Sequence, residues 1–166
     1  MPLEVRPATL ADATEVAATV HEGFESYRGW APRGWDPPPF SLQLSIVEDR
    51  LPRAVCFVAE EDGRMAGHVG FLPARDEPGV AHLWMLFVRE PWWGGGLARD
   101  LLARIVTAAA DAGYGSMRLV TPAEHARARR FYEREGWRAD GSAVYEPMLA
   151  LTIVTYRRRL GGASAA

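Results

Sequence analysis

The segment Trp92-Trp93-Gly94-Gly95-Gly96-Leu97-Ala98-Arg99 holds residue types that bind ligands through the backbone itself. It lies between an apolar run, 83–88, and an amphipathic run, 97–110, so the order reads strand, glycine turn, helix. Glycines let the chain turn sharply and approach a ligand with no side chain in the way. The first amides of a helix lack intrahelical partners and carry the positive end of its dipole. The pattern predicts an anion cradle, most naturally for phosphate. The plainer account is a tight connection that binds nothing, and the glycines alone do not choose between them.

Other reactive side chains are scattered. His21, His68, His82 and Cys56 lack metal-ligand spacing. Cys56 sits in an apolar strand run, which predicts a buried, inert thiol. The chain has no lysine; all nineteen basic side chains are arginine. A phosphate loop that depends on lysine is therefore excluded. The dinucleotide fingerprint fails because its third small residue is Arg99, and there is no Gly-x-Ser-x-Gly elbow.

The elements that must position these residues follow from periodicity. Leu3–Arg6 reads as a strand. Thr9, with Asp12 as a box partner, caps a helix running to about His21. From Gly23 to Phe40 the pattern changes: Phe24, Tyr27, Trp30, Trp35 and Phe40 lie among prolines 32, 37, 38 and 39. Such a stretch predicts a loop whose rings either line a pocket or plug the side of the core. Residues 41–51 return to helix. Runs 54–60 and 65–72 flank a hairpin turn at 61–64, and a further strand spans 81–88. The helix after the glycines stops at Gly113. A strand follows at 117–121, then a helix to about Gly136 and two final strands, 137–144 and 149–159. A helix crosses over between strands four and five, so these two should be parallel. Residues 161–166 read as a disordered small-residue tail, leaving one domain over 1–160.

Two segments then resemble one family. Residues 87–102, Phe-Val-Arg-Glu-Pro-Trp-Trp-Gly-Gly-Gly-Leu-Ala-Arg-Asp-Leu-Leu, are similar to motif A of the GCN5-related N-acetyltransferases (GNAT). Residues 128–137, Ala-Arg-Arg-Phe-Tyr-Glu-Arg-Glu-Gly-Trp, resemble its motif B. The resemblance covers nearly the whole chain. It implies an α/β (α+β) fold with a mixed, mostly antiparallel sheet of about seven strands. About four helices flank the sheet, with strands four and five parallel and splayed. It implies acetyl-CoA as cofactor, its diphosphate on the backbone of Gly94, Gly95, Gly96, Leu97, Ala98 and Arg99. Trp93 stands where the family has Gln or Arg. The pantetheine arm would meet backbone groups of Leu86, Phe87 and Val88, and His125, Ala128 and Tyr132 would share one helical face toward it. His125 replaces the usual asparagine. The resemblance makes Tyr132 the acid that protonates the departing thiolate, since a phenol with a pKa of about 10 is protonated at neutral pH. His82, six residues before Val88, would be the base that takes the amine's proton, with Glu22 and Glu25 as rivals. Strand alternation would put His82, Trp84, Leu86 and Val88 on one face. Arg89, Arg99, Arg129 and Arg130 lie within reach of nucleotide phosphates on this reading; a solvated arginine surface is the plainer account of each.

Tyr27, Trp30, Trp35, Trp84 and Tyr145 are the expected lining of the acceptor site. They point to a small amine or a peptide N-terminus rather than a polycation. The alternatives are an acyl-CoA-sensing domain of the same fold without turnover, and an unrelated nucleotide-binding domain. A net charge of −2 offers no general attraction to nucleic acid or anionic membrane. No secretory signal or spanning segment is visible and no internal disulfide can form, so the expected location is cytoplasmic. The resemblance allows a homodimer.

Overall fold

A computed structural model describes residues 2–161. The tail expected at 161–166 falls, apart from Gly161, outside the described residues. The elements in chain order are β1 (Glu4–Pro7), α1 (Ala13–Ser26), α2 (Phe40–Arg50), β2 (Val55–Glu61), β3 (Arg64–Pro73), β4 (Val80–Val88), α3 (Leu97–Asp111), β5 (Ser116–Pro122), α4 (Ala126–Arg134), β6 (Arg138–Glu146) and β7 (Leu151–Arg159). Seven strands form one sheet in the order β1-β2-β3-β4-β5-β7-β6. Only β4 and β5 run parallel; the other neighbours are antiparallel. No helix among the described residues is long and apolar enough to cross a membrane.

Each face of the sheet buries its own apolar layer. On one side Leu97, Leu101, Leu102, Ile105 and Ala109 of α3 pack with Tyr132, Trp137 and Tyr156 over the sheet. Leu101 and Ile105 are completely buried, and truncating Leu101 to Ala would cost about 3 kcal/mol. On the other side Val16, Val20, Phe24 and Tyr27 of α1 and its C-terminal turn pack with Val47 of α2, Trp35 and Trp84.

Helix α1 is longer than its sequence led us to expect. It passes His21 to Ser26 and ends in a 3-10 turn over Tyr27–Gly29. Val16, Val20, Phe24 and Tyr27 continue one buried stripe, and the first proline of the loop comes only at position 32.

The parallel contact between β4 and β5 is short. It joins Val80 to Ser116, Ala81 to Met117 and His82 to Arg118, and stops there. Beyond His82 the two strands part, and β4 continues alone on that side to Val88. Strand β4 also carries a bulge: its register with β3 shifts between His68 and Gly70, and Met85 has φ 61. A left-handed methionine is strained. It is held by His68, a fully buried ring whose hydrogen bond goes to the backbone of Met85. The bulge reverses the alternation predicted for this strand. Trp84, Met85 and Phe87 join the α1–α2 layer, whereas Leu86 and Val88 join the α3 layer. His82, Trp84, Leu86 and Val88 therefore do not share a face, because the extra residue flips every side chain after it.

Candidate functional site

The slot between β4 and β5 organises the site. Arg89 N–H donates to Ala66 O at 2.8 Å, which makes Gly67 and Val88 a non-hydrogen-bonded pair across β3 and β4. The N–H and C=O of Val88 consequently point away from β3 into the slot. Leu86, two residues back, shares the α3 face with Val88. In an intact ladder the Val88 groups would be consumed by the next strand; here β5 has already turned away, and the Val88 carbonyl accepts from Trp93 Nε1 instead.

The glycine turn closes one end of the slot. Gly94 and Gly96 have φ 81 and 86, a left-handed conformation that favours glycine, and Gly96 is the N-cap of α3. No atom lies within 4 Å of a Cβ built at either position, so no side chain crowds the turn, and the first amides of α3 have no acceptor within their own helix. Leu97 is anchored in the core, while Gly94, Gly95 and Gly96 are exposed, Ala98 half-buried and Arg99 exposed. This geometry suits a diphosphate: bare amides, a helix N-terminus and no obstructing side chain. Trp93 Nε1 donates to Val88 O at 2.7 Å. The Arg127 guanidinium lies over the Trp93 ring, 4.4 Å from its centroid.

The arginines singled out from sequence are placed differently. Arg89 pairs with Glu15 and Glu22, both at 3.0 Å. Arg129 donates to Tyr156 Oη and Ala123 O. Arg99 sits 3.6 Å from Glu135. Sequence reasoning missed Arg127; the one available signal was its position in the first turn of α4, two residues after His125.

Tyr132 is buried beside Phe131, Trp137 and Tyr156. Burial raises its pKa, so the phenol keeps its proton across the whole neutral range. Tyr27 belongs to the opposite layer, yet its pKa is raised by burial and then by Tyr132. His125 accepts a hydrogen bond at Nδ1 from Ala128 N–H at 3.4 Å, capping α4. Its ring lies 5.1 Å from Trp30 and 5.0 Å from Tyr27. It therefore bridges α4 to the aromatic loop. Burial, with a smaller contribution from Arg127, lowers its pKa to about 4.

The structure gathers Tyr27, Trp30 and Trp35, expected to line the acceptor site, into one cluster, with ring centroids 4.8 and 6.1 Å from Tyr27. Trp35 Nε1 donates to Leu149 O at 2.7 Å, fastening the loop to the turn between β6 and β7. Trp84 is buried in the same layer, and its Nε1 has no partner. Tyr145 is not brought to this cluster; it is 59% exposed on the edge strand β6.

His82 stands at the fork, the last β4 residue to pair with β5. Burial first, then the cations Arg118 and Arg50, lower its pKa to about 4, so the ring is neutral at pH 7. Arg118 Nε donates to its Nδ1 at 3.3 Å and is itself held by Asp76 and Glu77. In the neutral ring the proton then sits on Nε2. Glu22 is tied to Arg89, and Glu25 to Arg28 at 2.7 Å. Cys56 is buried, and burial pushes its thiol up to about 12.

Residues 20–137 match the profile of the Acetyltransferase (GNAT) family. This chain belongs to that family. An uncharacterized N-acetyltransferase of Mycobacterium bovis is 28% identical over 94 residues, 57% of this chain. The match spans 59% of that relative's length. Among solved structures, a chain assigned to the GNAT family from Desulfovibrio desulfuricans superposes with a TM-score of 0.75 at 24% identity, over 96% of this chain and all of that one. The Salmonella typhimurium protein yncA, solved with its cofactor acetyl-CoA, gives 0.72 at 20% identity, covering 100% of this chain and 98% of that one. A ribosomal-protein-alanine N-acetyltransferase from Brucella melitensis gives 0.73 at 20% identity, covering 95% and 99%. The seven-stranded mixed sheet with its four helices is the GNAT fold.

Proposed function

We propose that residues 1–160 form one catalytic domain that moves acetyl from acetyl-CoA to the primary amine of a small molecule or a peptide N-terminus. The family's donor is acetyl-CoA, which supplies an activated acetyl thioester. The observation that carries the reading is the open side of β4: beyond His82 its peptide groups have no partner on β5, and the strand leads to the glycine turn that opens α3. On this reading those groups align the pantetheine arm, and held geometry supplies much of the rate gain. Amides of the same strand polarise the thioester carbonyl. Tyr132, protonated by virtue of its burial, gives its proton to the sulfur as the amine attacks directly in a ternary complex.

His82 is the proton acceptor in this scheme. Its receiving atom in the observed tautomer is Nδ1, so the amine competes with Arg118 for that lone pair. The acceptor's body meets the half-buried ring of Trp30, with the buried rings of Tyr27 and Trp35 behind it. These rings favour a compact or partly apolar amine. A panel of amines assayed for CoA release tests the reading. Turnover with small amines or peptide N-termini is expected; a strong preference for polylysine would overturn the acceptor assignment.

The hold of Arg118 on Nδ1 favours one second reading, an acyl-CoA sensor without turnover. Tyr132→Phe separates the two. An enzyme should lose about 100-fold in kcat, whereas a sensor would bind acetyl-CoA unchanged and release no CoA in either form.

A further inference from the structure

Three of the four arginines named from sequence are engaged away from the glycine turn. Arg89 is clamped between Glu15 and Glu22. Arg129 is spent on Tyr156 and Ala123. Arg99 approaches Glu135. Arg127 differs from all three. It has no carboxylate partner among the described residues, and its guanidinium stacks on the ring of Trp93, the residue that immediately precedes Gly94. That ring is fixed at its edge by the bond from Nε1 to Val88 O. A guanidinium stacked on an aromatic face keeps its N–H edge free for an anion.

We propose that Arg127 is the side-chain cation that binds the cofactor's diphosphate, with Trp93 as the platform that aims it at the glycine turn. The inference rests on the cofactor site described under Proposed function. It adds a residue from α4 to a cradle otherwise made of backbone from the start of α3. Trp93 carries no charge of its own, so it acts through Arg127 as a positioning residue. Planar N–H pairs meeting phosphate oxygens form charge-assisted hydrogen bonds, the strong class of such contacts. The contact joins the two helices that flank the slot, so a bound diphosphate would link them.

The test is acetyl-CoA affinity by calorimetry on the full chain, with KM and kcat measured alongside. Arg127→Met should weaken binding about tenfold, raise KM accordingly, change kcat far less, and flatten the salt dependence of binding. Trp93→Ala should weaken binding comparably, and the double variant little further, because the two residues form one unit. Arg75→Met, in the loop between β3 and β4, removes the same charge elsewhere and should change affinity less than twofold. With acetyl-dephospho-CoA, which lacks the 3′-phosphate, the loss from Arg127→Met should persist. Equal losses from Arg75→Met, or a loss that vanishes with acetyl-dephospho-CoA, would overturn the proposal. So would an affinity indifferent to Arg127. No binding by the unaltered protein would overturn the proposed function as well; binding that ignores Arg127 overturns this inference alone.

Discussion

The two ends of the slot are built from different materials. The proposed cofactor end is mostly backbone: glycines with positive φ, the amides opening α3, and peptide groups of β4 that β5 does not pair. The proposed acceptor end is mostly side chain: Tyr27, Trp30 and Trp35, the buried indole of Trp84, and His82 held by Arg118. Backbone contacts recognise what all acyl-CoA molecules share. Side chains can be exchanged without disturbing the turn, so the acceptor end is where this chain can differ from its relatives.

Substitutions at the two ends should separate cleanly if this division is real. The largest effect is expected at Gly96. Gly96→Val places a β-branched residue at φ 86, strains the cap of α3 and covers the opening amides. Acetyl-CoA affinity measured by calorimetry should fall at least about 100-fold, while the KM of the amine, measured on the residual activity, stays nearly constant. A comparable rise in the amine KM would break the comparison.

Between the ends, Arg118→Met tests how the fork is tuned. Arg118 is a cation that helps hold the His82 pKa down, so its loss must raise that pKa. The groups facing His82 are then Arg50, still lowering its pKa, and Asp76, raising it. A base is active when deprotonated, so activity is present at high pH and lost as pH falls through its pKa. In the native protein that limb lies near 4; in the variant it should move upward, costing roughly threefold in kcat/KM at pH 5. The pH–rate profile checks this, and a limb that does not move would remove His82 from the chemistry.

The smallest effect belongs to the acceptor loop. Trp35→Phe keeps the ring and loses the bond to Leu149 O. One neutral hydrogen bond contributes about 1 kcal/mol, so the amine KM should rise roughly fivefold. Acetyl-CoA affinity, followed in the same titrations, should not change.

The same division explains what the sequence could reveal. A left-handed turn announces itself, because positive φ favours glycine; the turn at Gly94 and Gly96 was legible for that reason. The sheet order was legible too, since a crossover helix between β4 and β5 forces them parallel. Met85 was not. A non-glycine residue with positive φ leaves no trace in composition, and its bulge undoes the alternation assigned to His82, Trp84, Leu86 and Val88. The hold of Arg118 on His82 joins residues 36 positions apart and has no periodic signal. The extent of α1 was legible in principle: Phe24 and Tyr27 extend the stripe of Val16 and Val20, but the aromatic and proline content of the following loop obscured it.

The central claim is that the diphosphate of acetyl-CoA rests on the amides at the start of α3. Amide chemical shifts followed during a CoA titration of isotope-labelled protein test it directly, because glycine signals are well separated and report on their own N–H. Saturable shifts concentrated at Gly94, Gly95, Gly96, Leu97 and Ala98 are the predicted result. CoA binding that leaves those amides unmoved while others shift would contradict it.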